Sequence, residues 1–114
     1  MTAVTLDGYV GSILTANPNM LIPHYLMHSY LYYVMDDPVV SDSMFDTICK
    51  RLLVELDGLT HMHKHLVDKS LLVAGSGFNL QFPEMVVGAA RYLHYNKKAL
   101  AHGPRRGRQR TAGP

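Results

Sequence analysis

Tyr32, Tyr33, Asp36, Asp42, Phe45 and Asp46 bring three aromatic rings and three carboxylates into one short stretch of the chain. Aromatic faces attract a cation by ~0.5–2 kcal/mol. Ionised carboxylates favour the same positive charge. They also accept hydrogen bonds only, which suits a partner rich in hydroxyl groups. No Ser-His-Asp order, catalytic Glu motif or metal box accompanies the set. The same spacing also serves packing, because tyrosines at helical intervals fill cores and Asp42 suits the first turn of a helix.

Other residues carry chemistry in weaker patterns. His61, His63 and His65 alternate with Met62 and Lys64. His61 and His65 share a face if that stretch is helical, and His61 and His63 share one if it is extended. Either pair suits a transition metal, with Asp68 or His24 as a third ligand. No Cys or Glu stands at zinc-site spacing, so no metal is expected, and the histidines read as pH-responsive surface groups. Cys49 lies within an apolar helical pattern and reads as a buried structural thiol. Gly75-Ser-Gly77 lacks the spacing of a phosphate loop and reads as a flexible turn. Arg105, Arg106, Arg108 and Arg110 provide weak, salt-dependent contact with nucleic acid, or simply a solvated terminus.

The elements that position these residues follow from periodicity and punctuation. Thr5 or Asp7 caps a short helix to about Ala16, and Asn17-Pro18-Asn19 breaks it. Pro23 suits the first turn of a second helix, with Ile22, Leu26, Tyr30 and Tyr33 or Val34 towards the core. That helix ends near Met35, since Asp37 precedes Pro38. Ser41 is the N-cap of a third helix running through Met44, Phe45, Ile48, Cys49, Leu52, Leu53 and Leu56, and Gly58 closes it. Asp68 caps a short piece from Lys69 to Ala74. Phe78 to Phe82 reads as extended. Pro83 and Glu84 open a last helix to about Lys98, with Met85, Val86, Ala89, Ala90, Leu93 and His94 inward.

The chain is 114 residues long, enough for one domain. Hydrophobic residues make up 47% and charged residues 18%, ordinary values for a globular protein. The formal net charge of +2 hides a split. Residues 1–103 carry seven Lys/Arg against nine Asp/Glu, and residues 104–114 add four arginines and no acid. The fold class expected is all-α: four or five short helices over residues 1–103, then a disordered basic tail over 104–114. No apolar run reaches the ~20 residues of a membrane span, and no secretory leader is recognisable. The single cysteine fits a reducing compartment, so the location expected is cytoplasmic, with no membrane contact.

The run Tyr30-Leu-Tyr-Tyr-Val-Met-Asp-Asp-Pro-Val-Val-Ser-Asp-Ser-Met-Phe-Asp46 resembles the opening, NMN-binding domain of bacterial NAD-dependent DNA ligases. The family pattern there is roughly Tyr-(His/Tyr)-x-x-Asp-x-Pro-x-x-x-Asp-x-x-Tyr-Asp. The resemblance covers roughly residues 25 to 56, within a ligase-like segment of about 22–58. It implies that Tyr32 and Tyr33 sandwich or flank a nicotinamide ring, and that Asp36, Asp42 and Asp46 face ribose and amide. Phe45 departs from the family's tyrosine, which keeps the ring and removes one hydroxyl.

Catalysis of ligation is not implied. The ligase nucleotidyltransferase needs Lys-x-Asp-Gly, whereas this chain has Glu55-Leu-Asp-Gly58 and Thr5-Leu-Asp-Gly8. The reading is therefore a stand-alone, non-catalytic module for NAD or NMN. The alternative is a small phage-encoded effector, a viral protein that docks on a host protein through its helix pair. An enzyme acting on NAD or NMN, with Asp46 assisting glycosidic cleavage, ranks last.

Overall fold

The computed structural model describes residues 5–78 and 80–101, and they form an all-α domain with no strand among them. The elements are α1 (Asp7–Ala16), α2 (Leu21–Ser29), α3 (Asp42–Glu55), α4 (Lys69–Val73) and α5 (Glu84–Tyr95), with residues 97–101 helical again after a turn at Asn96. No helix among the described residues is long and apolar enough to cross a membrane. The arginines of the basic tail, expected to be disordered, lie outside the described residues.

The second helix is the axis of the fold. Leu21, Ile22, Tyr25 and Leu26 are fully buried, and so are the polar residues His24, His28 and Ser29. A helix buried on every face belongs at the centre of a bundle. It packs against α3 and α5, and α3 in turn packs on α4. Its last turn departs from α-geometry. Tyr30–Val34 is a π-helical turn, in which the Met35 N–H reaches back five residues to the Tyr30 carbonyl at 3.1 Å. Such widened turns occur singly and often at functional sites.

The helix stops through a left-handed residue. Asp36 has φ 54, and the Asp37 N–H donates to the Leu31 carbonyl at 2.9 Å. This bond reaches back six residues, one more than the usual helix stop because the turn before it is π-helical, and Asp tolerates the left-handed conformation better than most residues. Pro38 follows, as expected. Ser41 is the N-cap of α3, its hydroxyl accepting from the Met44 N–H at 3.1 Å.

Asp7 does not cap its own helix. Its carboxylate accepts from the Ser41 N–H at 2.8 Å and from the Ser41 hydroxyl at 2.6 Å, tying the start of α1 to the start of α3. The Leu6 N–H donates to the Val39 carbonyl at 2.7 Å beside it. The loop that turns α2 into α3 is therefore fixed from below.

Several expected core positions face outward instead. Val34, Leu53, Met85 and Ala89 are exposed. The widened turn after Ser29 rotates Val34 away from the 3.6-residue rhythm. On α5 the inward stripe is narrower than expected: Val86, Ala90 and Leu93 are buried and His94 only half so. His94 instead pairs with Asp37 at 2.7 Å. That hydrogen bond holds the Asp37 carboxyl below the usual carboxylate range.

Candidate functional site

The end of α2 and the first half of α3 build an aromatic shelf. Tyr32 lies nearly parallel to Phe45, with ring centres 6.0 Å apart and 20° between planes. Tyr25 stands on Phe45 in the same manner, at 6.1 Å and 23°. The three rings form one graded stack. Tyr25 is fully buried, Phe45 is 9% exposed and Tyr32 is 39% exposed. Offset pairs of this kind gain ~0.5–1.5 kcal/mol beyond the area they bury.

Tyr33 meets Tyr32 edge to face, with centres 4.8 Å apart at 89°. Rings in that contact leave no slot between them. Of the two arrangements expected for Tyr32 and Tyr33 about a ligand ring, this contact leaves room for flanking and none for sandwiching. Phe78 extends the cluster, packing edge-on against Tyr33 at 5.8 Å.

The loop at residues 75–77 is the part that sequence reasoning missed. It is pinned and not a free turn. The Tyr25 hydroxyl donates to the Ser76 carbonyl at 2.6 Å, and the Tyr33 and Ser76 hydroxyls stand 3.3 Å apart. Burial, with the nearby charges of Cys49, Asp68 and Tyr33, raises the Tyr25 phenol above its ordinary range, so the donor keeps its proton. Gly77 sits so close to α2 that an added Cβ would overlap Ser29 Oγ and stand 2.5 Å from Ser29 Cβ. Gly75 adopts φ +69, which glycine accepts without steric cost. The alternation of two glycines around a serine was the available signal. It marks close backbone approach as readily as looseness.

The acids take different places around the shelf. Asp46 is nearest the loop: its Oδ1 would stand 3.6 Å from a Cβ at Gly75. Its other oxygen pairs with Lys50 at 2.9 Å, one helical turn on. Asp42 is exposed in the first turn of α3, four residues before Asp46 and hence on the same face. Asp36 is exposed and serves the helix stop described above. The structure thus brings Tyr32, Tyr33 and Phe45 together, places Asp46 against the adjoining loop at Gly75 and on Lys50, and leaves Asp42 and Asp36 exposed.

Cys49 is fully buried below the shelf, and burial, with the charge of Asp46, pushes its thiol up to about 11. A protonated, enclosed thiol is no nucleophile. Among the described residues no group of three His, Cys, Asp and Glu side chains is placed to hold a metal ion. His61 and His63 are half-buried with ring centres 5.4 Å apart, and His65 is exposed. No family model, curated protein or solved structure matches this chain.

Proposed function

We propose that the chain is a non-catalytic module that binds a nicotinamide nucleotide, NMN or NAD, on the aromatic shelf. The observation that supports this most is the half-open stack. Tyr32 presents part of its ring to solvent while Phe45 holds that ring flat from behind, and Asp46 stands beside Phe45 in sequence. A cationic pyridine ring is attracted to such a face, by ~0.5–2 kcal/mol per aromatic contact. Asp46 and Asp42 lie on one face of α3 and accept from ribose hydroxyls.

Isothermal titration with NMN and with NAD tests this. Binding is expected in the micromolar to millimolar range, weakened by Tyr32→Ala and abolished by Asp46→Ala. Absence of heat at millimolar ligand, or binding indifferent to both substitutions, overturns the proposal.

A second reading is docking on a host protein. It draws on the exposed apolar side chains Val54 at 84%, Val73 at 72%, Phe78 at 64% and Tyr95 at 73%. A stoichiometric partner retained from a bacterial lysate after nucleotides are removed, and lost on Phe78→Ser, favours it over the first.

A further inference from the structure

On another face of α2, α2 and α5 border two adjoining clefts lined by methionine and histidine. One, of about 200 Å³, is lined by Met20, Met27, His61, His63, Met85 and Ala89 among others. The other, of about 450 Å³, shares Met20, Met27 and Ala89 with it and reaches His24. Three of the chain's seven methionines thus converge on the smaller cleft. Among the described residues no carboxylate lines it.

Methionine is a common filler of irregular gaps, and that alone would explain sulfur in a cleft. It does not explain His63. The Nε2 of His63 is buried and has no hydrogen-bond partner among the described residues. A buried polar atom left unpaired costs ~1–3 kcal/mol. His61 is spent differently: its Nδ1 accepts from the His63 backbone N–H at 3.1 Å. Neutral imidazole has a single lone pair, so His61 Nε2 carries the proton and does not coordinate. The free nitrogen of the cleft is His63 Nε2.

We infer that this cleft binds a soft monovalent metal ion, copper(I) in the cell, through the thioethers of Met20, Met27 and Met85 and the Nε2 of His63. Thioether ligands select copper(I) among the biological metals, and imidazole suits copper as well. The absence of a carboxylate from the lining disfavours magnesium, calcium and manganese, which take oxygen ligands. Neutral ligands suffice for an ion of single charge. Met85 is 63% exposed and Met27 only 5%. The ion enters past Met85 and is held against Met27.

Silver(I), a redox-stable soft probe, tests the site on the whole chain. With methyl-labelled methionine, one equivalent is expected to shift the methyl resonances of Met20, Met27 and Met85 and leave those of Met35 and Met44 in place. His63→Gln and Met27→Leu, the latter close to volume-conserving, each lower the affinity at least about tenfold. The buried thiol of Cys49 is the competing soft ligand, so Cys49→Ala is the control and leaves binding unchanged. Copper(I) under reductant, in competition with a chromophoric chelator, follows the same ranking. Absence of a saturable shift at one equivalent overturns the inference. So does binding that disappears in Cys49→Ala, or binding that survives both ligand substitutions.

Discussion

The loop side of α2 and its cleft side are held by different forces. On the loop side, Tyr25 and Ser29 meet residues 75–77 through a 2.6 Å hydrogen bond and direct backbone contact. On the cleft side, the same helix presents His24 and Met27 to apolar clefts and leaves His28 Nδ1 without a partner among the described residues. The first side is specified by shape: an added methyl group has nowhere to go. The second is adaptable in volume and vulnerable in charge, because buried imidazoles stay neutral only while protons are scarce. Shape should therefore break one side and acid the other.

Acid produces the larger effect. His24 and His28 face each other, Nδ1 to Nε2, at 3.2 Å inside the bundle. Burial pushes His24 down to about 4, and burial with the neighbouring His24 pushes His28 down to about 3. Both folded values lie below the unfolded value of 6.5. The unfolded chain therefore takes up protons first as pH falls. The stability held by the neutral pair is complete above pH 6.5 and is lost as pH drops through about 4 and then about 3. With two groups titrating together, the slope is at most about 3 kcal/mol per pH unit. A domain with only ~5–15 kcal/mol in total unfolds within such a window. Urea midpoints followed by circular dichroism from pH 7 to pH 4 measure the slope, and His28→Gln is expected to halve it. A flat profile would mean that the pair is solvated.

Gly77→Ala attacks the other side. The new Cβ would overlap Ser29 Oγ and approach Ser29 Cβ to 2.5 Å, so either the loop or the helix must move. Overpacking of this kind costs ~1–3 kcal/mol. Loss of the Tyr25 bond to the Ser76 carbonyl would add to it. The comparison sharpens when both experiments are combined. Gly77→Ala should lower stability equally at every pH and leave the acid slope intact. A changed slope would show that the two sides of α2 are coupled.

Much of the frame could be read from the residues themselves. Ser41 before Asp42, Pro38 after two aspartates, Asp68 before Lys69 and Pro83 before Glu84 each mark a boundary that the structure keeps. These signals are local, acting within one turn of backbone. What was not legible depends on distant partners. Asp7 looked like a cap for its own helix, and its carboxylate instead reaches Ser41. Gly77 looked like slack and is a contact with Ser29, 48 positions earlier in the sequence. The π-helical turn after Ser29 left no sequence mark, and it is what turns Val34 outward. At the shelf, residue types were legible while roles were not. Asp36 carries an exposed carboxylate, and only its φ of 54 shows that it also ends a helix.

The smallest expected effect separates the two tyrosine hydroxyls that meet Ser76. In Tyr25→Phe the Ser76 carbonyl loses a donor at 2.6 Å in a part-buried setting, which costs ~1–2 kcal/mol. In Tyr33→Phe the bond removed spans 3.3 Å, and Ser76 Oγ still accepts from the Phe78 N–H at 3.1 Å. That change should cost no more than ~0.5 kcal/mol. Neither ring moves, so NMN binding on the exposed face of Tyr32 should survive both substitutions. Denaturation midpoints and titration heats for the pair measure this. Equal losses of stability would mean that the loop is held by its aromatic contacts alone. A loss of NMN binding in Tyr25→Phe would mean that the loop, and not the shelf, carries the ligand.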